Sequence, residues 1–346
     1  MKDILEDSTK FPSMKLPRID ELNLTSKKVL VRADLDISEV ESENFRLESL
    51  IPTLDYLYEQ NCSIILIGHR GRPSEIPEGK TKEQVQQDLS LQPVSKALEE
   101  LLKVRWGEEK VGKLDMHMME NLRFDEGEEA NDKQYSEHLA KNGEIYINEA
   151  FAISHREHAS IVGLPSLMPH AAGFRFLEEV ENLSKVFENP KQPVITLISG
   201  IKKDKIDYIE SFKEFSDRIL IGGRLPEFMP EGNTDPKVVV AKLLPDKEDI
   251  TIHSVENFQD EIKKAKTIIV SGPIGKYEEE GHRMGTERVF NEIAKSPAFK
   301  VAGGGDTISA LSLLGIENEF DWLSVGGGAM LEFLAKRTLP GIEALG

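Results

Sequence analysis

A chain of 346 residues is longer than one ordinary hydrophobic core requires, and two domains of about 150–180 residues each are the natural expectation. Hydrophobic residues make up 39% of the sequence and charged residues 30%, which is typical of a soluble globular protein. The net charge of −18 argues against a nucleic acid or an anionic membrane as partner, because both attract basic surfaces. An anionic substrate could bind only in a local pocket where the few basic residues converge.

The cysteine content and the hydropathy pattern indicate a cytoplasmic protein. The single cysteine, Cys62, lies in the apolar run CSIILIG and is expected to be a small buried side chain, so no disulfide can form within the chain. No apolar run reaches the length of about 18 residues that a membrane-spanning helix needs. The N-terminal MKDILEDSTK is too acidic for a signal peptide.

The first half of the chain alternates between strand and helix patterns. The sequence pattern predicts strands at 27–37, 63–69 and 144–151 and helices at 47–61 and 93–104. A polar, proline-rich stretch at 70–88 is predicted to be a loop. This alternation predicts βαβ units and a parallel sheet, which is the α/β class.

One long amphipathic pattern interrupts the alternation at the midpoint. Residues 174–190, FRFLEEVENLSKVFENP, predict a helix ended by Pro190, and we interpret this helix as the link between a first domain, 1–173, and a second, 191–330. After it the strand–helix alternation resumes. No internal repeat is evident.

A glycine-rich turn organises the second half. The run FKVAGGGDTISALSLLG reads as a strand, a tight turn at Gly303, Gly304 and Gly305, and the start of a helix. Glycines let backbone N–H groups approach an anion closely, and the helix start adds a positive dipole end. Asp306 fits either the N-cap of that helix or a ligand for a hard cation such as Mg²⁺.

Further glycine turns follow strands in the second half. A second triple turn at Gly326, Gly327 and Gly328 comes about one βα unit later, and two such turns so close together indicate a phosphate-bearing ligand. The segments LIGG and VSGPIGKYEEE add two more turns. In the latter, Glu278 could accept hydrogen bonds from ribose hydroxyls or be one of three exposed glutamates.

Three lysines follow a strand and a glycine in ISGIKKDKI. Two interpretations fit Lys202, Lys203 and Lys205 equally well: they could bind a phosphate at the start of a helix, or they could be solvated charges on the surface. With the glycine turns, they make the second half read as a nucleotide domain.

Basic side chains recur just beyond predicted strands of the first half. They are Arg46, His69, Arg72, Arg123, His155, Arg156 and His158. Any one of them taken alone is best read as a surface arginine or a capped turn. Because open α/β sheets bind ligands at the carboxyl ends of their strands, the whole set favours a pocket for a small anion. The first half therefore reads as an acid-substrate domain.

The order of these motifs resembles the phosphoglycerate kinase family along nearly the whole chain. The motifs are VRADLD, FR before ESLIPTL, GHRGRP, ENLRF, INEAF with SHREHAS, GIKKDKI, LIGG, SGPIG, GGGDT and GGGAMLEFL. The resemblance implies two Rossmann-like three-layer domains with parallel sheets joined by the long helix, and a tail, 331–346, that packs back on the first domain. It also implies a monomeric, Mg²⁺-dependent glycolytic kinase that transfers a phosphoryl group reversibly between 1,3-bisphosphoglycerate with ADP and 3-phosphoglycerate with ATP.

The resemblance also implies roles for individual residues. The residues that would bind 3-phosphoglycerate are Asp34, Asp36, Arg46, His69, Arg72, Arg123 and Arg156. Arg46 and Lys202 would be catalytic, stabilising the transferred phosphoryl group from its two sides. The residues that would contact the nucleotide are Lys202, Lys205, Gly222, Gly223, Gly272, Pro273, Glu278, Gly303, Gly304, Gly305, Asp306, Thr307, Gly326, Gly327 and Gly328. Of these, Gly222 and Gly223 would line the adenine pocket, Glu278 would bind the ribose and Asp306 would hold Mg²⁺.

Several departures from the family pattern leave a second reading open. The Asp-Phe-Asn triplet is Asp34-Leu35-Asp36, which puts an acid where the family has an amide, and Ser271 and Glu149 replace an asparagine and an aspartate. Lys202 and Lys205 are separated by two residues instead of three, so Lys203 could take one of their roles. Only about fifty residues separate LIGG from SGPIG, fewer than is usual.

The alternative is a weak or inactive relative that binds a small phosphorylated acid or a partner. A dehydrogenase is disfavoured, because no G-x-G-x-x-G follows the first strand. A role without any ligand would leave the arginines and histidines unexplained.

Overall fold

The computed structural model describes residues 15–37, 45–76, 78–230 and 233–346. These residues form two separate parallel β-sheets with helices packed around them. The α/β class predicted from the strand–helix alternation is confirmed.

The first sheet has five parallel strands in the order β3-β2-β1-β4-β5. Its strands are β1 (Lys28–Arg32), β2 (Ser63–Ile67), β3 (Met116–Met118), β4 (Ile145–Asn148) and β5 (His170–Ala172). The helices of this half are α1 (Phe45–Glu59), α2 (Lys82–Asp88), α3 (Gln92–Trp106), α4 (Glu108–Val111), α5 (Glu126–Glu129) and α6 (Lys133–Ala140). In the register, Val31 lies between Leu66 and Ile147, so the middle of the sheet is apolar, as is typical when helices cover both faces.

A single helix, α7 (Phe174–Glu188), connects the two sheets. Its apolar positions recur at helical spacing, and the side chains of Phe176, Val180, Leu183 and Val186 are buried. The helix ends before Pro190, because the residue that precedes a proline disfavours helical geometry.

The second sheet has six parallel strands in the order β11-β10-β9-β6-β7-β8. Its strands are β6 (Val194–Ile198), β7 (Arg218–Ile221), β8 (Val238–Val240), β9 (Thr267–Ser271), β10 (Phe299–Gly303) and β11 (Trp322–Ser324). Its helices are α8 (Ile209–Phe212), α9 (Ile252–Ile262), α10 (Met284–Lys295), α11 (Gly305–Leu314), α12 (Gly327–Lys336) and α13 (Pro340–Glu343). None of the helices within the described ranges is long and apolar enough to cross a membrane.

The strand order reverses once in each sheet, between β1 and β4 and between β6 and β9. Ligands of open α/β sheets bind beyond the carboxyl ends of the strands at such a reversal. The topology therefore points to the segments that follow β1 and β6, which carry Asp34 and Lys202.

Apolar packing joins the two halves around α7. Phe151, just after β4, packs edge-on against Phe176 of α7 and Phe333 of α12, with ring centroids 5.8 and 6.0 Å apart. The C-terminal helix α13 lies against the same turn, where the Gly341 N–H donates to the Ser154 carbonyl at 2.8 Å. The end of the chain thus contacts the half that carries the first sheet.

Two segments differ from the sequence interpretation. The stretch read as a loop at 70–88 contains helix α2, which begins with a reciprocal cap: the Thr81 side chain accepts from the Gln84 N–H, and the Gln84 side chain accepts from the Thr81 N–H. The edge strand β5 was not predicted, because three residues are too few to show an alternating pattern.

Candidate active site

One cavity of about 580 Å³ opens between the carboxyl ends of the two sheets, and both halves line it. From the first half the predicted residues in its wall are Asp34, Asp36, Arg46, His69, Arg72, Arg123, His155 and Arg156, whereas the predicted His158 is not part of the wall. From the second half they are Lys202, Lys205, Gly272, Pro273, Gly303, Gly304, Gly305, Asp306, Thr307, Gly326, Gly327 and Gly328. Residues far apart in the sequence therefore meet because the strand ends of both sheets face the same space.

The basic wall is built on ion pairs at the strand ends. Arg46, in the first turn of α1, forms an ion pair with the almost fully buried Asp34, which follows β1. Burial raises the pKa of Asp34, and the positive charge of Arg46 opposes that rise. Arg123 donates to the Gly71 carbonyl at 2.8 Å, and Arg72 pairs with Glu75 at 2.8 Å. These partners fix the guanidinium groups of Arg46, Arg72 and Arg123 at the edge of the cavity.

A chain of polar contacts that begins at the buried Arg32 orients His69 and Asp36. Fully buried Arg32 donates to Nδ1 of His69 at 2.9 Å, and a guanidinium has no acceptor, so His69 carries its proton on Nε2. That Nε2 lies 3.6 Å from a carboxylate oxygen of Asp36. The other oxygen of Asp36 accepts from the Gly71 N–H at 2.7 Å. Both carboxylate oxygens of Asp36 therefore face hydrogen-bond donors, one on His69 and one on Gly71.

The pKa values of this pair follow from the same contacts. Burial lowers the pKa of His69 to about 4, so the ring is neutral at pH 7. Burial alone would raise the pKa of Asp36, but the polar contact with His69 and the hydrogen bond from the Gly71 N–H hold it well below its usual range. Asp36 is consequently ionised at neutral pH.

The two glycine turns of the second half touch each other. Gly304 has a φ of +101°, and a Cβ at Gly327 would lie 2.7 Å from the Cα of Gly304. The Thr307 hydroxyl donates to the Gly303 carbonyl and accepts from the Gly272 N–H, both at 2.8 Å, which ties the first turn to the end of β9. No side chain of residues 304, 305 or 327 covers this junction, so the N–H groups at the starts of α11 and α12 are accessible to an anion.

The structure separates the three lysines. Lys205 donates from Nζ to the carbonyls of Ser199 and Ser271, at 2.7 and 3.2 Å, and burial lowers its pKa to about 8. Lys202 is exposed and lines the cavity. Lys203 is absent from the cavity wall, and its Nζ lies 5.7 Å from the centre of the Phe228 ring. These positions favour Lys202 over Lys203 as the lysine that faces a bound phosphate.

Three residues that were predicted to contact adenine or ribose also lie outside the cavity wall. Gly223 has a φ of +60° and packs so closely on Gly200 that a Cβ would lie 2.3 Å from the Gly200 nitrogen. Gly222 donates its N–H to the Ile198 carbonyl, and Glu278 is exposed. Their assigned contacts with adenine and ribose remain predictions.

Other residues of the wall were not predicted from the sequence. Tyr208 and Glu332 line the cavity from the second half, and Ser271 lines it with a buried hydroxyl that has no hydrogen-bond partner within the described residues. Glu332 comes one helical turn after Gly328, a spacing that could have suggested it. Nothing in the sequence marks Tyr208, whose position depends on how the 3₁₀ turn Lys203–Tyr208 packs.

Arginines that face two glycine turns at helix starts across one cavity are typical of a phosphotransferase of the two-sheet α/β type.

Comparison with known proteins identifies the family. The family model described as "Phosphoglycerate kinase" matches residues 19–233 and 228–337, and the chain belongs to the phosphoglycerate kinase family. It is 31% identical to the phosphoglycerate kinase of Finegoldia magna, and the alignment covers 94% of this chain and 98% of that protein. It is 33% identical to that of Dictyoglomus turgidum, covering 93% and 96%.

Solved structures agree with the sequence matches. Phosphoglycerate kinase from Pyrococcus horikoshii superimposes with a TM-score of 0.80 at 26% identity, over 95% of this chain and 98% of that one. The enzyme from Coxiella burnetii gives 0.75 at 25% identity, over 96% and 99%. The family-model match divides near residues 228–233, inside the shortened interval between LIGG and SGPIG.

Proposed function

We propose that this chain catalyses the Mg²⁺-dependent, reversible transfer of a phosphoryl group between 1,3-bisphosphoglycerate with ADP and 3-phosphoglycerate with ATP, in glycolysis. One observation carries the proposal: a single cavity faces the arginines of the first half with the lysines and glycine turns of the second. Membership of the phosphoglycerate kinase family supports the same reaction.

We assign the acid substrate to residues 1–173 and the nucleotide to residues 191–330, with 174–190 as the link and 331–346 as a tail that returns to the first domain. Each half has its own sheet, and the hydrogen bond from Gly341 to Ser154 supports the assignment of the tail.

The wall of the first half would bind 3-phosphoglycerate. Arginine binds carboxylate and phosphate groups through two parallel hydrogen bonds, which fixes orientation as well as charge. The residues of this proposed substrate wall are Asp34, Asp36, Arg46, His69, Arg72, Arg123 and Arg156, and Asp36 is the member whose charge opposes that of the substrate.

The wall of the second half would bind the nucleotide phosphates. Backbone N–H groups of residues 303–305 and 326–328 would receive the phosphate oxygens, with Gly272, Pro273 and Thr307 beside them. Lys202 and Lys205 would supply positive charge. The adenine contact of Gly222 and Gly223 and the ribose contact of Glu278 are proposed from the family motifs alone.

The residues present suit a Mg²⁺ ion that arrives with the nucleotide. Among the described residues there is no group of three or more His, Cys, Asp or Glu side chains placed to hold a metal ion, and Asp306 is the carboxylate at the start of α11. Mg²⁺ commonly binds through one or two carboxylates, substrate phosphates and water, so a lone Asp306 fits. When bound, the ion would neutralise charge on the phosphate oxygens.

The transfer itself needs no nucleophilic side chain. In the direction of ATP use, a carboxylate oxygen of 3-phosphoglycerate attacks the γ-phosphorus, the bond from that phosphorus to the bridging oxygen breaks, and its electron pair leaves with ADP. Arg46 and Lys202 would balance the charge on the moving group from opposite sides. Approach of the two walls would exclude water, which would otherwise accept the phosphoryl group.

We further propose a cytoplasmic monomer with no nucleic-acid or membrane partner. The family resemblance supports a monomer, and the net charge of −18 opposes contact with nucleic acid or an anionic membrane.

The first test is a coupled assay with 3-phosphoglycerate, Mg²⁺ and ATP, then GTP. The Arg46→Ala variant should lower kcat by about 10³-fold or more, because it removes charge at the transferred group. Its affinity for nucleotide, measured by calorimetry, should stay within about twofold, because Arg46 lies in the other wall.

The matched control is Arg18→Ala, which removes an exposed arginine that pairs with Asp20. Loss of nucleotide binding in Arg46→Ala would contradict the assignment of the two walls. A wild-type protein that binds 3-phosphoglycerate but shows no turnover would instead be the inactive relative.

The metal assignment has a separate test. In Asp306→Ala the affinity for ADP should no longer depend on Mg²⁺, whereas wild-type protein and the exposed control Asp260→Ala should lose affinity when the metal is chelated. Calorimetry with Mg²⁺ and with EDTA measures this difference. An unchanged Mg²⁺ dependence in Asp306→Ala would rule out the role.

A further inference from the structure

The guanidinium of an arginine in the connecting helix α7 lies over two aromatic rings from opposite halves of the molecule, and we call these three residues the stack. The guanidinium carbon of Arg175 lies 4.1 Å from the centre of the Trp322 ring and 5.3 Å from the centre of the Phe45 ring. Phe45 is the first residue of α1, and Trp322 is the first residue of β11. The stack therefore contains one residue each from the first half, the connection and the second half.

The edges of the same guanidinium form hydrogen bonds. Arg175 donates to one carboxylate oxygen of the fully buried Glu179, at 3.0 and 3.2 Å, and to the carbonyl of Leu323. Glu179 also accepts from the indole Nε1–H of Trp322 at 2.9 Å and from the N–H of Val325 at 2.8 Å. The strand that leads directly into Gly326 is thus fixed to α7 through side chains.

The first half is fixed to the same turn of α7. The Thr53 hydroxyl of α1 accepts from the Phe174 N–H at 3.1 Å, and the buried carboxylate of Glu149 accepts from the Arg175 N–H at 3.1 Å. Phe45 immediately precedes Arg46. Movement of the Phe45 ring would therefore carry the backbone of Arg46 with it.

We propose that Arg175 is a positioning residue for phosphoryl transfer. Its stack with Phe45 and Trp322 sets the position of Arg46 relative to the glycine turn at 326–328. Arg175 is not part of the cavity wall, so it acts through these neighbours and not on substrate. The inference rests on the proposed function, because it takes Arg46 and the glycine turn as the two parts that must be aligned.

The chemistry of arginine suits this position better than that of lysine. A planar guanidinium can stack on rings with both faces while its edges donate hydrogen bonds. A lysine ammonium is a compact point charge that cannot contact two rings, Glu179 and the Leu323 carbonyl together.

The first experiment compares steady-state kinetics of Arg175→Met, Arg175→Lys and a control, Arg105→Met, at an exposed arginine of α3. Arg175→Met should lower kcat by about 10- to 100-fold, because a misplaced catalytic group costs rate, while both KM values change less than about twofold. Arg175→Lys should recover part of the loss, and Arg105→Met should match the wild type. An unchanged kcat in Arg175→Met, or raised KM values at unchanged kcat, would overturn the proposal.

A second variant avoids leaving Glu179 without its arginine. Phe45→Leu removes one ring of the stack but keeps the pairing of Arg175 with Glu179, and it should also lower kcat. The double variant Arg175→Met/Phe45→Leu should lose little more than Arg175→Met alone, because both residues act through one stack. Losses that multiply would show that the two residues act independently and would overturn the proposal.

A distance measurement separates this inference from the proposed reaction. Spin labels at Lys96→Cys on α3 and Asn257→Cys on α9, in a Cys62→Ala background, report the separation of the two halves. The distance distribution should be broader in Arg175→Met than in the wild type or Arg105→Met. If the wild type shows no turnover, the proposed function fails while this test still stands, and an equal width in all three proteins would overturn the role of Arg175.

Discussion

Asp36 places a negative charge in the wall that is proposed to bind an anionic acid. Its two oxygens point at the Gly71 N–H and at His69, and these donors hold its pKa low. The charge is thus compensated by neighbours but not removed. At this site a like charge near a bound carboxylate or phosphate should weaken binding.

Asp36→Asn should therefore lower the KM for 3-phosphoglycerate by about fivefold, equivalent to ~1 kcal/mol, because it removes the repulsion and retains an acceptor for Gly71. Steady-state kinetics at fixed ATP measures the change. Asp88→Asn, which breaks an exposed pair with Lys80, is the control and should leave the KM unchanged. A higher KM in Asp36→Asn would mean that the carboxylate itself binds the substrate.

The junction of β10–α11 with β11–α12 depends on the absence of side chains. Gly304 and Gly327 face each other across the two turns. A Cβ at Gly327 would lie 2.7 Å from the Gly304 Cα, and Gly304 has a φ of +101°, which residues with side chains rarely adopt. Since the N–H groups at these helix starts are the proposed phosphate ligands, the spacing of the two turns should determine how well nucleotide binds.

Gly327→Ala should weaken ADP binding by about tenfold, because the new methyl group forces the turns apart. Gly281→Ala is a matched control, since a Cβ there meets nothing within 4 Å. Calorimetric titration with ADP distinguishes the two variants. Equal affinities would show that the turns do not cradle the phosphates.

Over the whole molecule, three histidines are held neutral around the site. Burial lowers the pKa of His69 and His155 to about 4 and of His158 to about 3. In the unfolded chain each should titrate near 6.5, so between about pH 6.5 and 4 the unfolded state binds more protons than the folded state. Their stabilising contribution is complete above about pH 6.5 and is lost as the pH falls through this window.

Glu149 makes the opposite contribution. Burial raises the pKa of its carboxyl to about 7, so the folded protein binds this proton more tightly than the unfolded chain between about pH 4.5 and 7. Burial also raises the pKa values of Asp34 and Asp249, which act in the same direction as Glu149. We expect the three histidines to outweigh these carboxyls, so the net effect of acidification should be destabilising.

The urea midpoint of unfolding should accordingly decrease as the pH is lowered from 7.5 to 5. His158→Gln should reduce this pH dependence, whereas His138→Gln, at an exposed position of α6, should leave it as in the wild type. Urea titrations followed by circular dichroism at several pH values provide the measurement. A midpoint that stays constant or rises on acidification would contradict the neutral buried histidines.

The sequence by itself determined the class of fold, the connecting helix pattern and the family. The hydrophobic repeats of strands and helices involve residues that are close in the sequence, and the glycine turns need glycine at particular positions. Both features can therefore be recognised from the sequence alone. The carboxyl-end rule for parallel sheets then located most of the cavity wall in advance, including Arg46, Lys202 and Asp306.

Only the tertiary structure decided which residues meet. It placed Lys202 and not Lys203 at the cavity, added Tyr208 and Glu332, and left Gly222, Gly223 and Glu278 outside the wall. It also brought the Arg175 guanidinium over the rings of both Phe45 and Trp322. Such contacts join residues separated by up to hundreds of positions, and they arise from the packing of side chains against distant surfaces, which no local pattern in the sequence encodes.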